Sequence, residues 1–83
     1  MSYKQNYTIQ VEQVIEEQRN CESHCNELTF VNRGAVTAYV EKYPLGTGEF
    51  LRIGGNIGEK CTKVFNLECP AGSEVYVFRK FYI

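Results

Sequence analysis

The run Glu74-Val75-Tyr76-Val77-Phe78-Arg79-Lys80-Phe81-Tyr82-Ile83 constrains the fold of this chain more than any other segment. It is rich in β-branched and aromatic side chains, which pack well on a pleated surface and lose rotamer freedom in a helix. The two-residue period of a strand sends Val75, Val77, Phe81 and Ile83 to one side, and Tyr76, Phe78, Lys80 and Tyr82 to the other. A strand with apolar groups on both sides is either buried between two layers or covered on its outer side by another subunit. Tyr76, Phe78 and Tyr82 are therefore the candidate contact residues, with core packing as the alternative.

Upstream, the pattern is one of short strands broken by turns. Leu28, Phe30 and Val31 make a strand that stops at Asn32-Arg33-Gly34, where Asn and Gly suit the positive φ of a tight turn. In the next run Val36, Ala38 and Val40 share one face while Thr37, Tyr39 and Glu41 share the other, which predicts a hairpin with the strand before it. Residues 43–49 read as a loop, because Pro44 has no N–H for a ladder and Gly46 and Gly48 relax the backbone. Phe50 to Ile53 is a short strand, Gly54 to Gly58 a break, and Cys61 to Leu67 a strand with Phe65 and Leu67 on one face. Pro70-Ala71-Gly72-Ser73 turns the chain into its last strand.

The first third is ambiguous by periodicity. Tyr7, Ile9 and Val11 alternate like a strand, whereas Val11, Val14, Ile15 and Gln18 are spaced like a helix face. The β preference of Ile and Val favours the strand. Residues 18–26 are polar and read as a loop. The expectation is an all-β fold, a small β-sandwich of immunoglobulin-like or jelly-roll-like type with five to seven strands. Residues 1–83 would form one β domain, with 1–26 as an N-terminal arm or an extra strand followed by the polar loop.

With 83 residues such a domain buries little more than about 60% of its unfolded surface, which leaves no room for a deep cleft and favours oligomerisation. Six Tyr and five Phe offer amphipathic surface for that. A formal net charge of −1 argues against nucleic acid as a partner, since no basic face displaces phosphate counterions. The charge is uneven: Glu12, Glu16, Glu17, Glu22 and Glu27 precede a mildly basic remainder, a pattern that fits a solvated face or head-to-tail attraction between copies. The opening Met1 to Asn6 is polar with no apolar run behind it, so neither a signal peptide nor a membrane span is expected. In a cytoplasm Cys21, Cys25, Cys61 and Cys69 are expected to be free thiols.

Groups that exchange protons, attack or hold metals are scarce. There is no Asp and one His, so catalysis is not expected. His24 with Cys21 or Cys25 lacks an apolar enclosure to tune a nucleophile. Cys21, His24 and Cys25 offer soft ligands, yet the spacing lacks the paired C-x2-C knuckles of zinc sites; the simpler reading is a polar loop with exposed thiols, and two core cysteines near the Cys61 strand. Gly54-Gly55-Asn56-Ile57-Gly58-Glu59-Lys60 does not fit a phosphate-binding loop, because no Lys follows the last Gly and no helix pattern follows. No cofactor is expected.

The series Leu28 to Gly34, Ala35 to Val40, Pro44-Leu45-Gly46-Thr47-Gly48-Glu49 and Gly55-Asn56-Ile57-Gly58-Glu59 resembles a pattern of small phage-encoded β-sandwich proteins. The ending Val77 to Tyr82 is also similar to theirs, so the resemblance spans residues 27–83; the cysteine-bearing stretch at 21–25 lies outside it. It implies a virion component present in many copies, such as a capsid decoration, head-fibre or tail-associated subunit. Such a subunit would be assembled in the host cytoplasm and would contact itself and other virion proteins. Two other classes compete: a β-sandwich module that binds sugar or peptide through the last strand, and a zinc-dependent regulator using Cys21, His24 and Cys25.

Overall fold

The alternating runs form strands, and a computed structural model describes residues 6–56 and 58–83. Among these the elements are β1 (Tyr7–Ile15), β2 (Gln18–Glu22), β3 (Glu27–Asn32), β4 (Ala38–Val40), β5 (Tyr43–Leu45), β6 (Phe50–Gly54), β7 (Val64–Glu68) and β8 (Glu74–Tyr82), with no helix. They make two antiparallel sheets, a first of order β1-β8-β3-β6 and a second of order β2-β7-β4-β5. Pairing β1 with β8, β2 with β7, β3 with β6 and β4 with β5 means that the chain doubles back near its midpoint. The doubled strand then winds into two facing sheets, which is jelly-roll topology. The expected sandwich is present, with eight strands rather than five to seven.

The doubling-back point is the two-residue turn Glu41-Lys42 between β4 and β5, with φ of 50° and 66°. Both signs suit a type I′ turn, whose twist matches that of the flanking strands. Non-glycine residues rarely adopt this region, so other contacts hold the turn. Glu41 N–H donates to Asn66 O at 2.8 Å, and its carboxylate meets Lys63 Nζ at 2.9 Å.

Several elements differ from the sequence expectation. β3 and β4 do not form a hairpin, because they lie in different sheets and residues 33–37 cross between them. Neither Asn32 nor Gly34 has positive φ. Asn32 is instead a buried brace: its Nδ2 donates to Val36 O and Leu45 O, each at 2.8 Å, and its Oδ1 accepts from Gly34 N–H at 2.9 Å. Gly34 is required by close approach, since a Cβ there would lie 2.6 Å from Ser73 Cα. Tyr43–Leu45 is a strand, with Pro44 opposite Tyr39 on the edge of the second sheet, where a missing N–H costs no ladder bond. Residues 18–22 are the strand β2, read as loop because Gln18, Asn20 and Glu22 are all exposed on a sheet edge. The strand predicted from Cys61 begins at Val64.

The core lies between the sheets. Phe30 of β3 meets Phe65 of β7 edge-to-face at a centroid distance of 5.8 Å, and Leu28, Val75 and Val77 from the first sheet face Val40, Leu45 and Leu67 from the second. Each such side chain contributes about 1.5–3 kcal/mol by leaving water. Residues 7–15 are a strand, as the β preference indicated, but Tyr7, Ile9 and Val11 point outward while Val14 is the buried one. Ile83, expected on the core side, lies past the end of β8 and is 80% exposed.

Candidate interaction surface

Strand parity places Tyr76, Phe78, Lys80 and Tyr82 together on the outer face of the first sheet. Register then supplies their neighbours: Val11 and Thr29 flank Phe78, Gln13 and Val31 flank Tyr76, and Tyr7 lies beside Tyr82. On β6, Phe50 continues the face next to Val31 and is 68% exposed. Tyr76, Phe78 and Tyr82 are each half-buried, shielded by these neighbours rather than by a second layer. The stripe therefore lies outside the core, within an apolar face that runs from β1 to β6.

Polar groups along this face are fixed by one another. Tyr76 Oη donates to Glu74 Oε1 at 2.7 Å and accepts from Gln13 Nε2 at 3.0 Å, and Gln13 also bonds Glu74. The Tyr76 hydroxyl holds the Glu74 carboxyl below its ordinary range, with Gln13 adding to the effect. The same carboxylate pushes the Tyr76 hydroxyl up. Tyr82 Oη donates to Gly55 O at 2.7 Å, which pins that ring across the end of β6. Lys80 Nζ sits 4.2 Å from the Tyr7 ring centroid, so its charge rests on an aromatic face. An open depression of ≈ 600 Å³ lies between Val31, Arg33, Glu74, Tyr76 and Phe78.

Of the residues considered for chemistry, Cys25 is brought opposite Cys61, while His24 turns away from the cysteines that flank it. Cys21 and Cys25 point inward and are buried, contrary to the expected exposed thiols, while His24 turns outward at φ 43° with its side chain 59% exposed. Among the described residues no three metal-ligating side chains come together. Burial pushes the thiols of Cys21, Cys25 and Cys69 up, which keeps them protonated and poorly nucleophilic. Of the glycine segment, Gly54 ends β6 and Gly55 follows it, with φ of 80° and 106°.

One buried charge was missed by the sequence reading. Arg79 lies on the inner side of β8, where its Nε donates to Glu22 O at 2.7 Å and its Nη2 reaches Cys21 Sγ at 3.0 Å and Glu12 Oε1 at 3.2 Å. Parity was the available signal, since Arg79 shares the side of Val75 and Val77. With it bonded, no buried side-chain nitrogen or oxygen among the described residues lacks a partner.

No protein-family model, no curated protein and no solved structure matches this chain.

Proposed function

We propose that this chain is a non-enzymatic assembly module that acts through protein–protein contacts made by the outer face of its first sheet. The observation that carries the reading is the apolar face itself: Phe50, Tyr7, Ile9 and Val11 are each about half exposed or more, beside the half-buried Tyr76, Phe78 and Tyr82. A contiguous exposed apolar face of this kind marks an interaction surface. Rigid aromatic rings on it bury large areas at small entropic cost. Its shallow relief suits a broad protein surface better than a small ligand, which favours an enclosing pocket.

The setting in this reading is a bacteriophage virion, as a capsid decoration, head-fibre or tail-associated subunit. That part rests on the resemblance over residues 27–83 and on the use of jelly rolls in viral capsid domains. Lectin domains use the same topology, so the choice between assembly and sugar recognition rests on the surface rather than on the fold.

Sedimentation velocity across a concentration series tests the assembly reading with Phe50→Ser and Tyr82→Ala. Both variants are expected to associate more weakly than the wild type; the unfolding midpoint should change little in Phe50→Ser and fall modestly in Tyr82→Ala, which loses its bond to Gly55 O. A wild type that stays monomeric throughout, or variants that associate like it, would overturn the reading.

A further inference from the structure

The first sheet ends at β1, a nine-residue strand with one partner, β8. Its hydrogen-bonding phase is fixed by Ile83 N–H, which donates to Asn6 O at 2.9 Å. In an antiparallel ladder the pairs that exchange bonds recur every second residue. The even-numbered residues of β1 therefore direct their N–H and C=O groups toward β8. Tyr7, Ile9, Val11, Gln13 and Ile15 direct theirs to the open edge, and these same residues carry the outward-facing side chains. Among the described residues, no other segment bonds this edge.

Natural sheets protect long edges with proline, lysine, bulges, inward-pointing charges or brevity. The other edges of this molecule follow that rule. β5 has three residues and contains Pro44, β6 ends in Gly54 and carries Arg52, and β2 is short and polar on its exposed positions. β1 has no proline, no lysine and no glycine, and its one charged residue, the inward-pointing Glu12, is paired with Arg79 and Arg19 inside the molecule. Among the described residues it is the longest edge strand.

We propose that β1 pairs antiparallel with β1 of a second copy about a two-fold axis at Val11, joining two first sheets into one eight-stranded sheet. This inference shares with the assembly reading only the premise that the chain self-associates, and it places the contact on the edge of the first sheet rather than on its outer face. The strand's own pattern argues for a second copy as the occupant, because an isologous contact must be self-complementary. Full overlap of residues 7–15 sets Val11 against Val11, Tyr7 against Ile15 and Ile9 against Gln13 on the outer face. On the inner side it sets Glu12 against Gln10. The neighbouring register about Glu12 would oppose two carboxylates across the axis, and the register about Gln10 shortens the overlap. The joined sheet would also make one apolar face from two, continuous from Phe50 of one copy to Phe50 of the other.

The test is residue-resolved amide exchange on the wild type at low and high concentration, together with sedimentation of Val11→Pro. Proline at this position removes an N–H that points to the open edge, so the internal ladder is kept while the symmetric pair loses two backbone bonds. Its association constant is expected to fall by at least about tenfold. In the associated wild type, Ile9, Val11 and Gln13 amides should gain protection with concentration, while Gln10 and Glu12, already bonded to β8, should not. If the oligomer persists in Val11→Pro, or if the odd-numbered amides exchange freely while the protein is associated, the edge pairing is overturned. Loss of association in Phe50→Ser but not in Val11→Pro would leave the outer-face reading standing alone. The converse pattern would support edge pairing and overturn the outer face as the contact.

Discussion

Cys25 and Cys61 face each other as an isolated antiparallel bridge, exchanging backbone bonds of 3.1 and 2.7 Å, and both thiols are free. A bonded antiparallel pair places its Cα atoms roughly 5.5 Å apart, inside the range that a disulfide spans. Mild oxidation is therefore expected to link these two first and to leave Cys21 and Cys69 reduced. Closing the intervening loop should stabilise the domain by about 4 kcal/mol where the bond forms without strain. Peptide mapping after oxidation checks the pairing; a disulfide that involves Cys69 would contradict it.

In the reduced protein, titration under denaturing conditions should find four thiols, with no stoichiometric zinc in the same preparation. Under native conditions at neutral pH, Cys21, Cys25 and Cys69 should react slowly with an alkylating agent, because burial raises their pKa and hides the sulfur. One zinc per chain would restore the regulator reading that the outward-turned His24 argues against.

Acid should weaken the domain through two carboxylates. Lys63 first, then the Asn66 N–H, lowers the Glu41 pKa, and Tyr76 with Gln13 lowers that of Glu74. Near the ordinary carboxylate pKa the unfolded chain then binds more protons than the native one, so stability rises with pH there. The contribution is present above the unfolded-state value and is lost as pH falls through the depressed native one. Glu41→Gln and Glu74→Gln should each flatten the acid limb of a curve of unfolding midpoint against pH. An unchanged limb in the double variant would assign acid sensitivity to other groups.

The midpoint turn carries two non-glycine residues in the left-handed region, of which Glu41 is tied by its contacts to Asn66 and Lys63. Lys42, φ 66°, is the one to relieve. Lys42→Gly should stabilise the domain by up to about 1 kcal/mol, the scale of the left-handed penalty for an L-residue. Thermal unfolding would show this as a midpoint raised by at most roughly 4–8 °C.

The sandwich was legible because β8 and β7 alternate with their core residues in phase, as Phe65, Leu67, Val75 and Val77 show. β2 and β5 were not legible, since edge strands bury few side chains and their sequences keep the polarity or proline of loops. β1 was legible as a strand but not in phase: its outward positions hold more apolar residues than its inward ones. Periodicity assigns the apolar side to the core, and here that side is the exposed one. Asn32 was recognised as the end of a strand, while its role as a cross-sheet brace depends on Leu45 and Glu74, which no local pattern brings near. The stripe Tyr76, Phe78 and Tyr82 was readable from β8 alone, whereas Phe50 joined it only through the β3–β6 register.

Arg79 offers the sharpest test of the interior. Its guanidinium bonds the Glu22 carbonyl, the Cys21 sulfur and the Glu12 carboxylate, and Glu12 is also held by Arg19 at 3.0 Å. Arg79→Met keeps an unbranched apolar stem but leaves the Glu22 carbonyl without its donor. Glu12 keeps solvent and Arg19, so the cost should fall below that of a fully buried broken pair, at about 1–3 kcal/mol. Arg79→Lys should recover little, because a single ammonium cannot reproduce the planar fork that serves three acceptors on two strands. In urea unfolding both variants should show lower midpoints with unchanged slope. Adding Glu12→Gln to Arg79→Met should cost less than the sum of the two single changes, since the pair shares a contact. Strict additivity would mean that the ion pair is incidental and that the bonds from Arg79 to the Glu22 carbonyl and the Cys21 sulfur hold the end of β2 against β8.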